Sequence, residues 1–264
     1  MSLITVQELF IYPVKGLTPQ ACSQVMLTAG HGILGDRGLA FMFIDALDEG
    51  AGISEEAVPW MSKKYFAVQN DWPGLAMLDC QYDSQTGELS LRHPNNTQLT
   101  VNVNTAPGRD QVSAFVSSYL ETLEPTPGAR HPQKMPVKLV GNGAGTTRYP
   151  DREPVHISII SQATLDQLSE VAGTPIESQR FRPNIVVTGI GAWEEFNLVG
   201  EEIKLGNATI AITARIDRCA NIEVNPKTGL RDLPLLKLLE ENYGHLQTGV
   251  LGKVITSGSV SVSS

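Results

Sequence analysis

The sequence has few cysteines and an excess of acidic residues. Three cysteines, Cys22, Cys80 and Cys219, occur in 264 residues, and their wide spacing offers no disulfide framework. Lysine and arginine number 20 against 28 aspartates and glutamates, which gives a formal net charge of −8. A chain with this balance lacks the basic surface that nucleic-acid binding requires. We therefore expect a reducing compartment and no nucleic-acid partner.

Long apolar segments are also missing. The sequence contains no run of about 18 apolar residues that could span a bilayer. Residues 1–10 lack the charged and then apolar layout of a signal peptide. With 41% hydrophobic and 18% charged residues, the chain can bury one large core or two smaller ones packed together. These features predict a globular cytoplasmic protein without a membrane partner.

The residues that are present are typical of a mainly β protein with a few helices. Short stretches rich in valine, isoleucine, leucine and threonine are interrupted by 24 glycines and 16 prolines. Strands are predicted at residues 3–12, 40–44, 88–91, 99–103, 155–160, 185–188, 208–214 and 250–257. The last eight residues alternate small polar residues with valines, which predicts an edge strand or a frayed tail.

Three segments have helical periodicity. Residues 110–123 carry an apolar stripe, and Asp110 is expected to cap the start of that helix. A second helix is predicted to begin after Ser161, which can serve as its N-cap. The third covers residues 233–243 with Pro234 in its first turn, where a missing N–H removes no hydrogen bond.

A proline-rich stretch separates two parts of the chain. Between residues 123 and 137, four prolines and a glycine break both the strand and the helix periodicity. The sequence therefore predicts one domain at residues 1–124 and a second at residues 125–264.

Two arginines and an asparagine follow one another at alternate positions. The proline after Arg182 favours an extended backbone at that residue, and every second side chain of an extended chain shares a face. Arg180, Arg182 and Asn184 are thus expected to project together, at a spacing suited to a phosphate or carboxylate. The alternative is that both arginines are surface residues paired with acids such as Glu177 or Glu194.

One cysteine has basic neighbours. Cys219 comes soon after a predicted strand, and the adjacent Arg218 and nearby Arg215 favour a thiolate, the form that ligates soft metals. The alternative is a buried free cysteine that behaves as a small hydrophobe. That second interpretation applies more readily to Cys22 and Cys80, which have no basic neighbour in sequence.

Further cations stand beside glycines. Lys15 precedes a glycine at the end of the first predicted strand, and Arg37 lies in a glycine-flanked turn. Each can donate to an anion, although such residues in turns are usually just solvated. The glycine-rich segment 141–145 lacks the lysine of a phosphate-binding loop and predicts a mobile loop at the mouth of a site. Five scattered histidines show no metal-site spacing.

Taken in order, these motifs resemble those of the MOSC-domain family. Segments similar to its N-terminal β-barrel domain and then to the MOSC domain proper occur at residues 12–16, 35–37, 154–168, 180–187 and 218–229. The resemblance runs from about residue 3 to about residue 255. It implies a MOSC-type β-barrel packed against an N-terminal β-rich domain.

The resemblance also implies a cofactor. The relatives are amidoxime-reducing components, bacterial reductases of N-hydroxylated bases and the C-terminal domain of molybdenum cofactor sulfurases. By this resemblance Cys219 is the metal ligand and catalytic residue of a molybdopterin-type molybdenum cofactor. The implied cofactor-binding residues are Lys15, Arg37, Arg180, Arg182, Asn184 and Arg218. Pyridoxal phosphate is linked to the family only through a separate domain of the sulfurases, which this sequence does not resemble.

The implied activity is reduction of N-hydroxylated small molecules by oxygen transfer to molybdenum. The sequence has no iron–sulfur cysteine cluster and no dinucleotide fingerprint, so electrons are expected from a separate ferredoxin-type or flavin-type reductase. The alternative is a non-redox module that carries the cofactor, or that carries sulfur as a persulfide on Cys219. Both functions need the same thiolate and cations. Side chains that shape the substrate pocket are expected at residues 48–65 and 141–151.

Overall fold

The computed structural model describes residues 4–48, 54–131, 133, 136–152 and 157–263. Within those ranges the chain forms sixteen strands and four α-helices. The strands are Thr5–Ile11 (β1), Val14–Lys15 (β2), Gln20–Cys22 (β3), Gln24–Thr28 (β4), Gly32–Ile33 (β5), Leu39–Phe43 (β6), Asp79–Asp83 (β7), Glu88–Arg92 (β8), Gln98–Asn102 (β9), Val137–Gly141 (β10), Ile157–Ser161 (β11), Ile185–Thr188 (β12), Glu202–Leu205 (β13), Ala208–Asp217 (β14), Gln247–Thr256 (β15) and Gly258–Ser261 (β16). The helices are Ile44–Asp48 (α1), Ala106–Thr122 (α2), Gln162–Ala172 (α3) and Leu235–Tyr243 (α4).

The strands form one large and three small sheets. The seven-stranded sheet has the order β13-β14-β15-β11-β12-β1-β3, and the three-stranded sheets are β10-β6-β2, β16-β4-β5 and β7-β8-β9. The pairs β11·β12 and β2·β6 are parallel, and the other pairs are antiparallel. Strands from both sides of the predicted division at residue 124 share sheets, since β1 pairs with β12 and β6 with β10. The mainly β prediction is confirmed.

The predicted strands correspond to strands of the structure, with shifted ends. β14 and β15 are each ten residues long, so both extend beyond the predicted segments. The start of the predicted strand 155–160 lies outside the described residues, and β11 begins at residue 157. At the end of the chain, β16 pairs antiparallel with β4, so the final segment contains an edge strand.

The starts of two helices differ from the prediction. Helix α2 begins at Ala106, four residues earlier than expected, and Thr105 caps it by accepting the Gly108 N–H at 3.2 Å. Asp110 therefore lies inside the helix, because a proline in the first turn lets the chain enter the helix sooner. Helix α4 begins after Pro234, which occupies the N-cap position and not the first turn.

Buried apolar residues lie on both faces of the large sheet. In the central strand β12, Ile185 and Val187 join one cluster with β4 and β16, while Val186 joins another with helices α3 and α4. This alternation is expected of a strand that is covered on both sides. A third cluster packs α2 against β6, β10 and the β7-β8-β9 sheet. The ends of β2 and β14 and the start of β12 meet between these packed units.

In the described part of the chain, no helix combines the length and the apolar character that a bilayer crossing demands.

Candidate functional site

A cavity of about 480 Å³ lies where segments from the two halves of the chain meet. It is lined from β2, from the loop after β10, from the segment before β12 and from the end of β14. The basic side chains on its lining are Lys15, Arg37, Lys63, Arg148, Arg152, Arg180, Arg182 and Arg218, and the acidic ones are Asp151 and Asp217. All seven residues singled out in the sequence line this cavity. In a chain with a net charge of −8, such a concentration of cations favours an anionic ligand.

The backbone between Arg180 and Asn184 is not extended, so the predicted geometry was wrong. Residues Ser178–Phe181 form a 3-10 helix, and Arg182 has φ 53° in the left-handed region. The Arg182 N–H closes this turn on the Gln179 carbonyl oxygen at 3.1 Å. That hydrogen bond overrides the preference for extended backbone that the following proline imposes. Arg180, Arg182 and Asn184 line the cavity from this turn and do not alternate along a strand.

Two of these side chains are already bonded to the protein. Arg180 is 3% exposed and donates to both oxygens of Asp232, at 2.8 and 3.0 Å, and to Glu177 at 3.0 Å. The predicted alternative of an ion pair with Glu177 thus holds for Arg180. Asn184 donates to the Phe10 carbonyl oxygen at 3.2 Å and to the buried Asp36 carboxylate at 3.0 Å. Arg180 and Asn184 therefore form a rigid part of the wall.

Arg37 and Arg182 both stack on one aromatic ring. Their guanidinium carbons lie 4.6 and 4.3 Å from the centroid of the buried Tyr12 ring. Both arginines have φ 53°, a conformation that is rare for residues with a side chain and is typical of functional sites. The ring partly stabilises two like charges that would otherwise repel each other.

The Arg182 guanidinium has few protein partners. Across the described ranges, its side chain makes one hydrogen bond, from Nη1 to the Leu17 carbonyl oxygen at 2.7 Å. An arginine has five N–H donors, so most of those of Arg182 have no acceptor in that part of the protein. Burial, opposed by Tyr12 and reinforced by Arg37, lowers the pKa of Arg182 to about 10, so the group stays charged at neutral pH. The side chain is half-buried and lines the cavity, so its remaining donors are available to an anion that enters there.

Asp36 organises this wall, and sequence reasoning missed it. The carboxylate is fully buried and accepts hydrogen bonds from the Tyr12 backbone N–H, Asn184 Nδ2, Arg37 and Arg148. It lies in the same glycine-flanked turn as Arg37, and an acid next to an arginine in such a turn was the available signal. Arg148 had no comparable signal, because its partner Asp36 lies 112 residues away in sequence.

Arg218 holds the segment that carries Cys219. Its Nε donates to Thr248 Oγ1 at 2.6 Å, and Nη1 donates to the Phe181 carbonyl oxygen at 2.9 Å. Burial lowers the pKa of Arg218 to about 10, and the charge of Cys219 is the largest influence that opposes this lowering. The two neighbouring side chains are thus close enough to interact electrostatically.

Cys219 is not a core cysteine. It is free and half-buried, it lines the cavity, and it is outside the apolar clusters that the described residues form. It precedes the 3-10 helix Ala220–Glu223, just past the end of β14. Cys80, in contrast, is fully buried inside the α2 cluster. The core interpretation therefore fits Cys80 and does not fit Cys219.

This difference predicts unequal thiol reactivity. Burial, reinforced by Asp79, raises the pKa of Cys80 to about 12, so its thiolate is scarce at pH 8. We expect iodoacetamide to modify Cys219 in the folded protein while Cys80 stays unmodified until the protein unfolds. Mass spectrometry of tryptic peptides at successive times measures both. Modification of Cys80 at the rate of Cys219 would contradict the assignment of the two environments.

Lys15 is a buried lysine that forms an ion pair with an exposed aspartate at the cavity. The side chain is 4% exposed, and Nζ donates to the Tyr149 carbonyl oxygen at 2.9 Å and to Asp151. Burial lowers the pKa of Lys15 even though the Asp151 carboxylate acts in the opposite direction. Lys15 is thus a cation that depends on a nearby negative charge.

The loops expected to shape the pocket do so in part. Lys63 and the segment 148–152 line the cavity, whereas residues 49–53 of the first loop lie outside the described residues. The glycine-rich segment does not line this cavity, contrary to the expectation that it lies at the mouth. Its residues Asn142 to Ala144 line a separate cavity of about 330 Å³ beside Arg109.

Two family models match most of the chain. The sequence models of the MOSC N-terminal beta barrel domain and of the MOSC domain match residues 3–123 and 146–263. Mitochondrial amidoxime reducing component 2 of Bos taurus is 28% identical over 258 residues, covering 86% of this chain and 68% of the bovine protein. Mitochondrial amidoxime-reducing component 1 of Mus musculus is 26% identical over 257 residues, with the same two coverages of 86% and 68%.

A solved structure is also similar in outline. The YuaD protein from Bacillus subtilis is 13% identical, with a TM-score of 0.43, and the match covers 99% of this chain and 94% of that one. The two matched domain models follow each other along the chain and together leave only short segments unmatched. The chain therefore belongs to the family of MOSC-domain proteins that carry the MOSC N-terminal beta barrel domain.

Proposed function

We propose that the cationic cavity binds a molybdenum cofactor and that the protein reduces N-hydroxylated small molecules. The observation that carries the proposal is the meeting, in one cavity, of a half-buried cysteine with guanidiniums that have unused donors. The names of the bovine and murine relatives, which are amidoxime-reducing components, support the choice of substrate class.

The chemistry of the donors fits such a group. In the described part of the chain, no group of three or more histidine, cysteine, aspartate or glutamate side chains could hold a metal ion. A metal at Cys219 would thus take one sulfur from the protein and its other ligands from the molecule that carries it. Thiolate is a suitable ligand for a soft metal, and a phosphate on the same molecule would match the free guanidinium donors.

Each residue has a distinct part in this proposal. Cys219 would supply the sulfur ligand, and the adjacent Arg218 holds the segment that carries it. Arg182 and Arg37, which both stack on the Tyr12 ring, would hold the phosphate. When bound, the cofactor supplies the two-electron oxygen-transfer chemistry, while the protein binds and orients it.

Lys15, Arg180 and Asn184 complete the proposed binding site. Lys15 adds a third cation. Arg180 and Asn184 act through their neighbours, because their donors already hold Asp232 and Asp36.

We further infer that electrons come from a separate protein. The three cysteines of the 264 residues are far apart in sequence, and the structure describes one in each of three different environments. An iron–sulfur cluster needs several cysteines in one place. The donor would be of the ferredoxin or flavin type and would have to reach the cavity mouth near Cys219.

A turnover assay separates this function from that of a carrier. Protein from a host that makes the cofactor is mixed with reduced methyl viologen and either benzamidoxime or 6-hydroxylaminopurine. We expect oxidation of the viologen that depends on the substrate, with the amidine or the aminopurine as product. Protein that contains molybdenum but turns over neither compound would overturn the reductase proposal and favour the cofactor carrier.

A further inference from the structure

A carboxylate projects into the cationic cavity. Asp151 lines it and accepts a hydrogen bond from the Lys15 ammonium. Desolvation at this position acts to raise the pKa of Asp151, but Lys15, with smaller effects of Lys63 and Arg37, brings it below its ordinary value. The carboxylate is therefore ionised at neutral pH. It lies beside Lys15, where the anionic group of a ligand would also bind.

Asp151 differs from the other acids around the site in how it is held. Asp36 is fully buried and accepts from four donors, so it cannot leave without breaking the wall. Asp232 holds Arg180 with both oxygens and also accepts from Asn225. The Asp151 side chain is 63% exposed, and in the described chain Lys15 is its one hydrogen-bond partner.

Lys15 needs a negatively charged partner. Its side chain is 4% exposed, and a buried charge without a partner is strongly destabilising. An exposed aspartate, in contrast, rotates into water at little cost. Only the anion of this ion pair can therefore be exchanged, since Lys15 stays in place while another anion replaces Asp151.

We propose that Asp151 is a displaceable internal counter-ion, which pairs with Lys15 in the cofactor-free protein and rotates out when a phosphate group of the ligand replaces it. This inference shares with the proposed function the idea that the ligand is phosphorylated. It adds selectivity for phosphate, because a dianionic phosphate displaces the Asp151 carboxylate from Lys15 more readily than another monoanionic carboxylate does.

Phosphate binding to the cofactor-free protein tests the exchange. The full chain is made in a host that cannot synthesise the cofactor, and inorganic phosphate is titrated at pH 7 by calorimetry. For Asp151→Asn we expect the Kd to fall about tenfold, because the variant removes a competing charge next to Lys15. A matched control is Asp79→Asn, which removes a charge from an exposed ion pair with Arg92 that lies off the cavity lining. Its Kd is expected to equal that of the native protein.

Equal or weaker phosphate binding by Asp151→Asn overturns the inference, as does an equal gain in phosphate affinity in Asp79→Asn. A thermal unfolding scan checks that the variant is folded, and Asp151→Ser provides the same test should the asparagine variant not fold. Adding Lys15→Gln to Asp151→Asn should abolish the gain. Because no molybdenum is involved, tighter phosphate binding would stand even if the reductase proposal failed.

Discussion

Cys219→Ser is expected to abolish turnover and to remove most of the bound molybdenum, while the fold remains intact. Serine keeps the size of the side chain but offers a poor ligand for a soft metal. Even outer partners of metal ligands change affinity or activity by about 10- to 100-fold, so loss of the ligand itself should cost more than about 100-fold. Elemental analysis and the viologen assay measure the two effects, and thermal unfolding reports on the fold.

The other two cysteines provide controls. Cys80→Ala should lower the free energy of unfolding by about 1–2 kcal/mol, since Cys80 is fully buried, and should leave the molybdenum content unchanged. Cys22→Ser, at a half-buried position outside the cavity, should change neither activity nor metal content. Equal metal loss in Cys219→Ser and Cys80→Ala would show that the wrong cysteine has been assigned.

Arg182→Ala is expected to weaken cofactor retention by about 10- to 100-fold, because it removes charge-assisted hydrogen bonds to a phosphate. Arg182→Lys should have a smaller effect, since it keeps the charge but loses the planar two-pronged donor. Arg182 has φ 53°, so both variants place a Cβ in the same left-handed backbone and share that cost. The ratio of molybdenum to protein after extensive dialysis measures retention.

An exposed arginine separates the local effect from the loss of a charge. Arg92 is 66% exposed and pairs with Asp79 away from the cavity lining. Arg92→Ala should retain the cofactor as well as the native protein does. If Arg182→Ala and Arg182→Lys retained equal amounts, a two-pronged contact of this guanidinium with phosphate would be wrong.

Much of the fold was predictable because local patterns decide it. A continuous apolar run marks β12, where Val186 joins one cluster and its neighbours Ile185 and Val187 join the other. Helix ends were predictable where a single residue sets them: Gly173 and Gly244 both adopt the left-handed conformation that ends a helix. Helix starts were less so, because the threonine that caps α2 precedes the apolar stripe by several residues.

The site was predictable in its membership but not in its geometry. Short motifs on separate segments pointed to Lys15, Arg182 and Cys219, and all three line one cavity. Their orientations depend on partners far away in sequence, which no local pattern reveals. Asp36 joins residues from four segments, and Asp151 meets a lysine 136 residues away. The left-handed turn at Arg182 departs from the extended backbone that the following proline favours, because the Arg182 N–H bonds the Gln179 carbonyl oxygen.

We infer that the cavity at Cys219 holds a molybdenum cofactor, and metal analysis of the native protein is the direct test of that inference. The protein is purified from a host competent in cofactor synthesis, passed through gel filtration and analysed for molybdenum and for released pterin. We expect both, in amounts that match the protein and fall together in Cys219→Ser. Native protein that is folded but contains neither molybdenum nor pterin would contradict it.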